Sequence, residues 1–312
     1  MRQHTAPTPF MVGDVHFYGA DIGGKPALFD CGPPTKAGKA AIRAAVDPGS
    51  LAYIFLTHCH IDHYGLASWL EGQGEAVIYI PRVDLVRFQR HREHLAKAGE
   101  LMKSYGFGFI FLQAVRQSYL RTTIPPKDIS RYRIVEDSAE LESMGIGWIA
   151  CPGHSQSDLA YLVGDEAVTG DILLKGIFQV PLLDIDLLTF EGRFRNYDIW
   201  CASIASIASL RGRKILPGHR HEVDLGAALT EYVGILLARA VKVRRFQHLP
   251  LPEVISELFK GRLREPFHVY IKASEIVFMM DFLENPGLLR TALEGAGLFA
   301  GVEDVWEGAL GA

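Results

Sequence analysis

Short apolar runs alternate with amphipathic stretches along the first two thirds of the chain, and the last third repeats at helical spacing only. Val15–Tyr18 and Ala27–Phe29 read as strands, and Lys36–Val46 reads as a helix with Ala40, Ala41, Ala44 and Ala45 on one face. Tyr53–Leu56 is apolar throughout, the pattern of a strand buried on both faces. A short helix to about Glu71 and a strand over Ala76–Ile80 follow. Val83–Tyr105 then reads as one charged amphipathic helix and Ile110–Arg121 as another, until Ile124-Pro125-Pro126 ends propagation, because proline lacks a donor and constrains the residue before it. Strands return at Ile146–Cys151, Leu159–Val163 and Ala167–Thr169. After them come a helix over Tyr197–Leu210 and a short strand, Lys214–Leu216. Helices are expected near Leu225–Phe246, Pro252–Phe259, Ser274–Leu283 and Gly287–Gly295.

The strand-rich part divides into two similar halves around the helical block at about 82–126, so two sheets packed together with helices outside are expected. Residues 1–222 form the α/β domain in this reading, residues 82–126 an insertion within it and residues 223–312 a helical extension. Helical insertions beside an active site often form lids or substrate walls. The apolar content of residues 225–300 suits either a lid or the interface of a homodimer.

At 312 residues and 48% hydrophobic, the chain can bury one large core or two modest ones. A net charge of −4 gives no general attraction to nucleic acid or anionic membranes. The opening MRQHTAPTPFMVGDVHF has no long apolar run and nothing elsewhere reaches the length of a spanning helix, so a cytoplasmic protein without a membrane segment is expected. Four cysteines, none in a CxxC pair, read as free thiols.

The twelve histidines matter for where they fall. His58-x-His60-x-Asp62-His63 places four potential ligands in six residues, directly after a buried strand. Imidazole and carboxylate suit zinc and also accept iron or manganese. A loop is needed there, because a strand would turn His63 away from His58 and His60. Pro152-Gly153-His154-Ser155, Gly170-Asp171 and Pro217-Gly218-His219 each follow a strand too. Four strand ends converging on one edge is how an α/β scaffold assembles a site.

The motifs THCHIDH, PGHS, GD and PGH, in that order over about residues 10–222, resemble the metallo-β-lactamase superfamily, in its glyoxalase II-like or thioesterase-like branch. The resemblance implies an αββα sandwich with the site along one edge of the sheets. It implies that His58, His60 and His154 hold one metal, that Asp62, His63 and His219 hold a second, and that Asp171 bridges them. The two divalent ions, zinc or else iron or manganese, would leave room for a bridging water or hydroxide as nucleophile, with Asp62 helping to orient it. Phe29-Asp30-Cys31-Gly32 resembles the family's early turn, whose aspartate supports the metal loop without binding metal.

The expected activity is hydrolysis of a small ester, thioester or lactone. Asp158 stands where glyoxalase-II-like relatives carry a second histidine, which argues against that specific activity. A phosphodiesterase or nuclease, a mononuclear-iron sulfur dioxygenase and a metal-holding binding protein without catalysis are the alternatives. Arg193, Arg195 and Tyr197, between Asp171 and His219, and Tyr64 after the ligand loop are candidate substrate contacts. His91 and His94, with the arginines around them, read as a solvated helix face or as a wall facing an anionic substrate. Cys59 is expected to pack, and His221 to lie outside the ligand set.

Overall fold

The computed structural model describes residues 1–10, 12–122, 129–179 and 181–310. Six strands, β1 (Arg2–Ala6), β2 (Val15–Ile22), β3 (Lys25–Phe29), β4 (Tyr53–Phe55), β5 (Val77–Ile80) and β6 (Tyr132–Ile134), form one sheet in sequence order. The first two pairings are antiparallel and the next three parallel. A parallel pairing needs a crossover. Helix α1 (Lys36–Ala45) makes the crossover from β3 to β4, starting at Thr35, whose hydroxyl accepts from Gly38 N. The short α2 (Ile61–Tyr64) and α3 (Ala67–Glu71) lie between β4 and β5.

The crossover from β5 to β6 carries the expected insertion, as α4 (Arg82–Gln89), α5 (His91–Ser104) and α6 (Phe109–Thr122). The expected single helix over 83–105 is therefore two, parting at Arg90. Its guanidinium lies 3.5 Å from the Phe190 ring centroid, a contact made across a hundred residues that no local pattern encodes. The expected break at Ile124-Pro125-Pro126, with the insertion's end at 126, lies outside the described residues. A short helix, α7 (Glu140–Ser143), leads into the second sheet.

That sheet has four strands in the order β10-β9-β8-β7, formed by β7 (Ile146–Ala150), β8 (Leu159–Val163), β9 (Glu166–Gly170) and β10 (Lys214–Pro217). Helix α8 (Asn196–Ala208) crosses from β9 to its parallel neighbour β10. Five α-helices follow among the described residues: α9 (Leu225–Arg244), α10 (Leu251–Phe259), α11 (Pro266–Glu284), α12 (Pro286–Gly295) and α13 (Glu303–Leu310). Helix α11 starts eight residues before the expected Ser274, with Pro266 in its first turn, where a missing N–H costs nothing.

The central strands are apolar on both faces because each face has its own core. Phe29, Phe55 and Tyr79 point between the sheets and stack at 4.8 Å centroid spacings, with Tyr161 from β8 against them. Their neighbours Leu28, Ile54 and Ile78 face the other way, toward α1 and α3. On the outer face of the second sheet, α8, α9 and α11 share one cluster with Ala160, Ala167 and Ile215. The result is helix layers outside two packed sheets, as the strand pattern predicts. Among the described residues no helix is long and apolar enough to cross a membrane.

Candidate metal centre

The two sheets present their strand ends to one edge, and backbone pairing holds them there. Val15 bridges His219, and His16 N donates to Gly218 O at 2.7 Å, tying β2 to the end of β10. After β4 the chain turns through Thr57 to His60 and enters α2, so His58 and His60 precede the helix while Asp62 and His63 lie within it. His154 follows β7, Asp171 follows β9 and His219 follows β10.

Two groups of potential ligands result, each with its ligand atoms within 4.8 Å of one another: His58, His60, His154 and Asp171, and Asp62, His63 and His219. Asp171 faces both. Its Oδ2 lies 3.7 Å from His154 Nε2, while its Oδ1 lies 3.4 Å from His63 Nε2 and 3.6 Å from His219 Nε2. Asp62 Oδ2 is 3.4 Å from His219 Nε2. All seven residues predicted from the sequence thus converge at one place.

The surroundings fix which nitrogen each ring offers. His63 Nδ1 donates to Asp30 Oδ2 at 2.8 Å, and His219 Nδ1 donates to the Asp14 carbonyl at 2.7 Å. His58 Nδ1 lies 3.1 Å from Thr57 Oγ1, which itself donates to Asp30. Each arrangement turns Nε2 inward, and in all three rings Nε2 is buried without a hydrogen-bond partner. Asp30 is held at φ 57 by this network, since its carboxylate also takes Thr57 N at 2.9 Å. Gly170, at φ +50, leaves the room it needs: a Cβ there would lie 2.5 Å from Thr57 Oγ1.

The electrostatics differ between the two groups. Burial, helped by neighbouring histidines, lowers His58 and His60 well below the usual imidazole value, and burial lowers His154. These rings are neutral, the form that binds metal. At His63 burial also acts downward, but the carboxylates of Asp171, Asp30 and Asp62 overcome it and raise the ring well above normal. His219 is raised in the same sense, with burial opposed by Asp171 and Asp62. Asp171 itself stays well below the carboxylate range, since His219 and His63 outweigh its burial. Carboxylates concentrated around inward-facing nitrogens make a site short of positive charge, which divalent cations fit.

A cleft opens from this centre, with His60 and His154 in its wall. Helix α5 contributes His94, Leu95, Ala98, Gly99 and Met102, which recur on one helical face. Helix α6 adds Leu112, Val115 and Arg116, and the segment after β9 adds Leu182, Leu183, Asp184 and Leu187. Tyr270 of α11 closes the ring, its hydroxyl donating to the Leu183 carbonyl at 2.8 Å. The insertion and the C-terminal helices therefore both reach the cleft.

None of the four expected substrate contacts lines it. Arg193 makes two 2.7 Å bonds to the carboxylate of Asp281, and Arg195 bonds Asp198 at 2.6 Å. Tyr197 is fully buried, with its hydroxyl donating to the Asn285 carbonyl at 2.8 Å. Tyr64 is buried against Phe88. Conversely, His94, expected on a solvated face or a basic wall, is buried 2.8 Å from the Asp184 carboxylate, and Arg87 and Asp84 lie beside the cleft. Cys59 packs in the core with its thiol pushed well up by burial, and His221 is exposed. All four cysteines are free.

The chain matches the family model of the metallo-beta-lactamase superfamily over residues 11–219. Among solved structures it is similar to a metallo-beta-lactamase family protein from Thermus thermophilus, with a TM-score of 0.70 at 20% identity, covering 92% of this chain and 93% of that one. A beta-lactamase domain protein from Burkholderia ambifaria gives a TM-score of 0.69 at 17% identity, covering 91% and 86%. Coverage of that extent carries the likeness of fold past residue 219 into the C-terminal helices. No curated protein matches the chain.

Proposed function

Since the chain belongs to the metallo-beta-lactamase superfamily, we propose that it is a dinuclear metal-dependent hydrolase of small esters, thioesters or lactones. His58, His60 and His154 would hold one ion and Asp62, His63 and His219 the other, with Asp171 facing both groups. One observation carries this reading: buried Nε2 atoms of His58, His63 and His219 and Oδ1 of Asp171 converge without hydrogen-bond partners. Each such atom costs about 1–3 kcal/mol when left unmet, so their assembly is explained by a cation. The donors, imidazole and carboxylate, suit zinc, iron or manganese.

When bound, the ions supply Lewis acidity and bring the pKa of water toward neutrality. The protein does the rest. His63 donates its Nδ1 proton in a hydrogen bond to Asp30 Oδ2 and keeps Nε2 directed inward. Burial works against ionisation of Asp62, but His63 and His219 hold it in the carboxylate form, ready to accept a hydrogen bond from an attacking water. In hydrolysis the water oxygen bonds to the acyl carbon, the bond to oxygen or sulfur breaks, and the water's proton ends on the leaving group. The largely apolar lining of the cleft favours an acyl group over a phosphodiester.

Elemental analysis of wild type beside His219→Ala tests the assignment. About two ions per chain falling to about one, together with loss of turnover on p-nitrophenyl acetate, is the expected result. One ion or fewer in the wild type, unchanged by the substitution, would overturn the dinuclear reading.

A further inference from the structure

Gly99 lies in the third turn of α5, half-buried in the wall of the cleft, and a Cβ built on it meets no other atom of the described residues within 4 Å. Its backbone is helical, so no left-handed conformation calls for glycine there, and among the described residues no close approach of a neighbour does either. Glycine is nonetheless the poorest helix former after proline. The one thing its missing side chain provides is open space in the cleft.

We infer that the cleft is a binding channel for a straight, saturated acyl chain and that Gly99 sets how long a chain it admits; this rests on the acyl-hydrolase reading above. Leu95, Ala98 and Met102 stand on the same face of α5 as Gly99, and Leu112, Val115 and Leu183 face the cleft from the other elements. These side chains are apolar and offer an alkyl chain contact without any hydrogen bond to satisfy. His60 and His154 line the same space, so the carbonyl end of such a chain can reach the candidate metal centre. From His94 to Met102 the helix rises about 12 Å, the length of an extended chain of roughly eight to ten carbons.

Straight-chain carboxylates from butyrate to dodecanoate, titrated calorimetrically into the full-length zinc-loaded protein, read this directly. The carboxylate end is constant through the series, so differences report the chain. Affinity rises about fourfold per added methylene and levels off near ten carbons. In Gly99→Leu the decanoate-to-butyrate affinity ratio falls at least tenfold, and Gly99→Ala reduces it less. Both variants melt no lower than wild type, since alanine and leucine are better helix formers than glycine. Should the leucine variant fail to fold, the alanine variant carries the comparison.

A flat series in the wild type, or an unchanged ratio in a folded Gly99→Leu, overturns the inference. Turnover of p-nitrophenyl acetate alongside a flat series sinks the channel and leaves the hydrolase. Length-dependent binding without turnover of any p-nitrophenyl ester leaves the channel and sinks the hydrolase.

Discussion

Asp158 sits buried just before β8, taking Ser155 N at 2.7 Å and Ser155 Oγ at 2.6 Å, and burial pushes its carboxyl up to about 8. The folded protein therefore holds a proton there that the unfolded chain releases near pH 4. A raised carboxyl contributes stability that is fully present below the unfolded value and is lost progressively as pH rises from about 4 to about 8. Asp158→Asn keeps the bond from Ser155 N at its Oδ1, reverses the other so that Nδ2 donates to Ser155 Oγ, and removes the titration. In chelator-treated protein the variant should gain more than about 1 kcal/mol on wild type between pH 5 and pH 8, measured by urea unfolding. A constant difference across that range would show the carboxyl ionised throughout. At this scale the sequence is legible where chemistry demands rare residue types at strand ends, as at His58, His154 and Asp171. It is silent on the partners of single side chains: the Asp184 that takes His94 is 90 residues away.

The segment between β9 and α8 passes from the cleft to the C-terminal helices, and the Arg193–Asp281 ion pair joins its far end to α11. Arg193 and Asp281 are both largely buried and bonded through two pairs of atoms, with Arg195 a further 3.8 Å from the same carboxylate. Arg193→Ala takes both hydrogen bonds from that buried carboxylate and leaves it the more distant Arg195, and a loss of about 3 kcal/mol in unfolding free energy is expected. A substrate contact would behave differently, raising KM for small esters with the melting temperature unmoved, and that outcome would return Arg193 to the cleft. Element boundaries followed the apolar pattern closely for β8, α1 and α12. Strand β6 and helix α13 escaped it, because β6 has only one of three residues turned inward and α13 buries Trp306 alone. The parting of α4 from α5 escaped it for another reason, since the Phe190 that meets Arg90 belongs to a distant loop.

For the whole molecule, two sheets with helices outside could be read from strand spacing, because every central strand needs cover on both faces. The destination of the last ninety residues could not. Their apolar faces are equally good for a lid, an interface or a core, and only packing against α8 and the second sheet decides that they extend one continuous cluster. The centre at the sheet edge draws on both halves: His58, His60, Asp62 and His63 come from the first, and His154, Asp171 and His219 from the second. Each proposed ion would then act as a rivet through two plates. Occupied at a hundred times its dissociation constant, one rivet adds about 2.7 kcal/mol to the folded state. Melting temperature should therefore climb with free zinc and drop on chelation, with His219→Ala showing roughly half the response; equal melting with and without chelator would mean the aromatic layer alone clamps the plates. In a cell such a protein would unfold more readily whenever metal runs short, so its lifetime would be an indicator of the local metal pool.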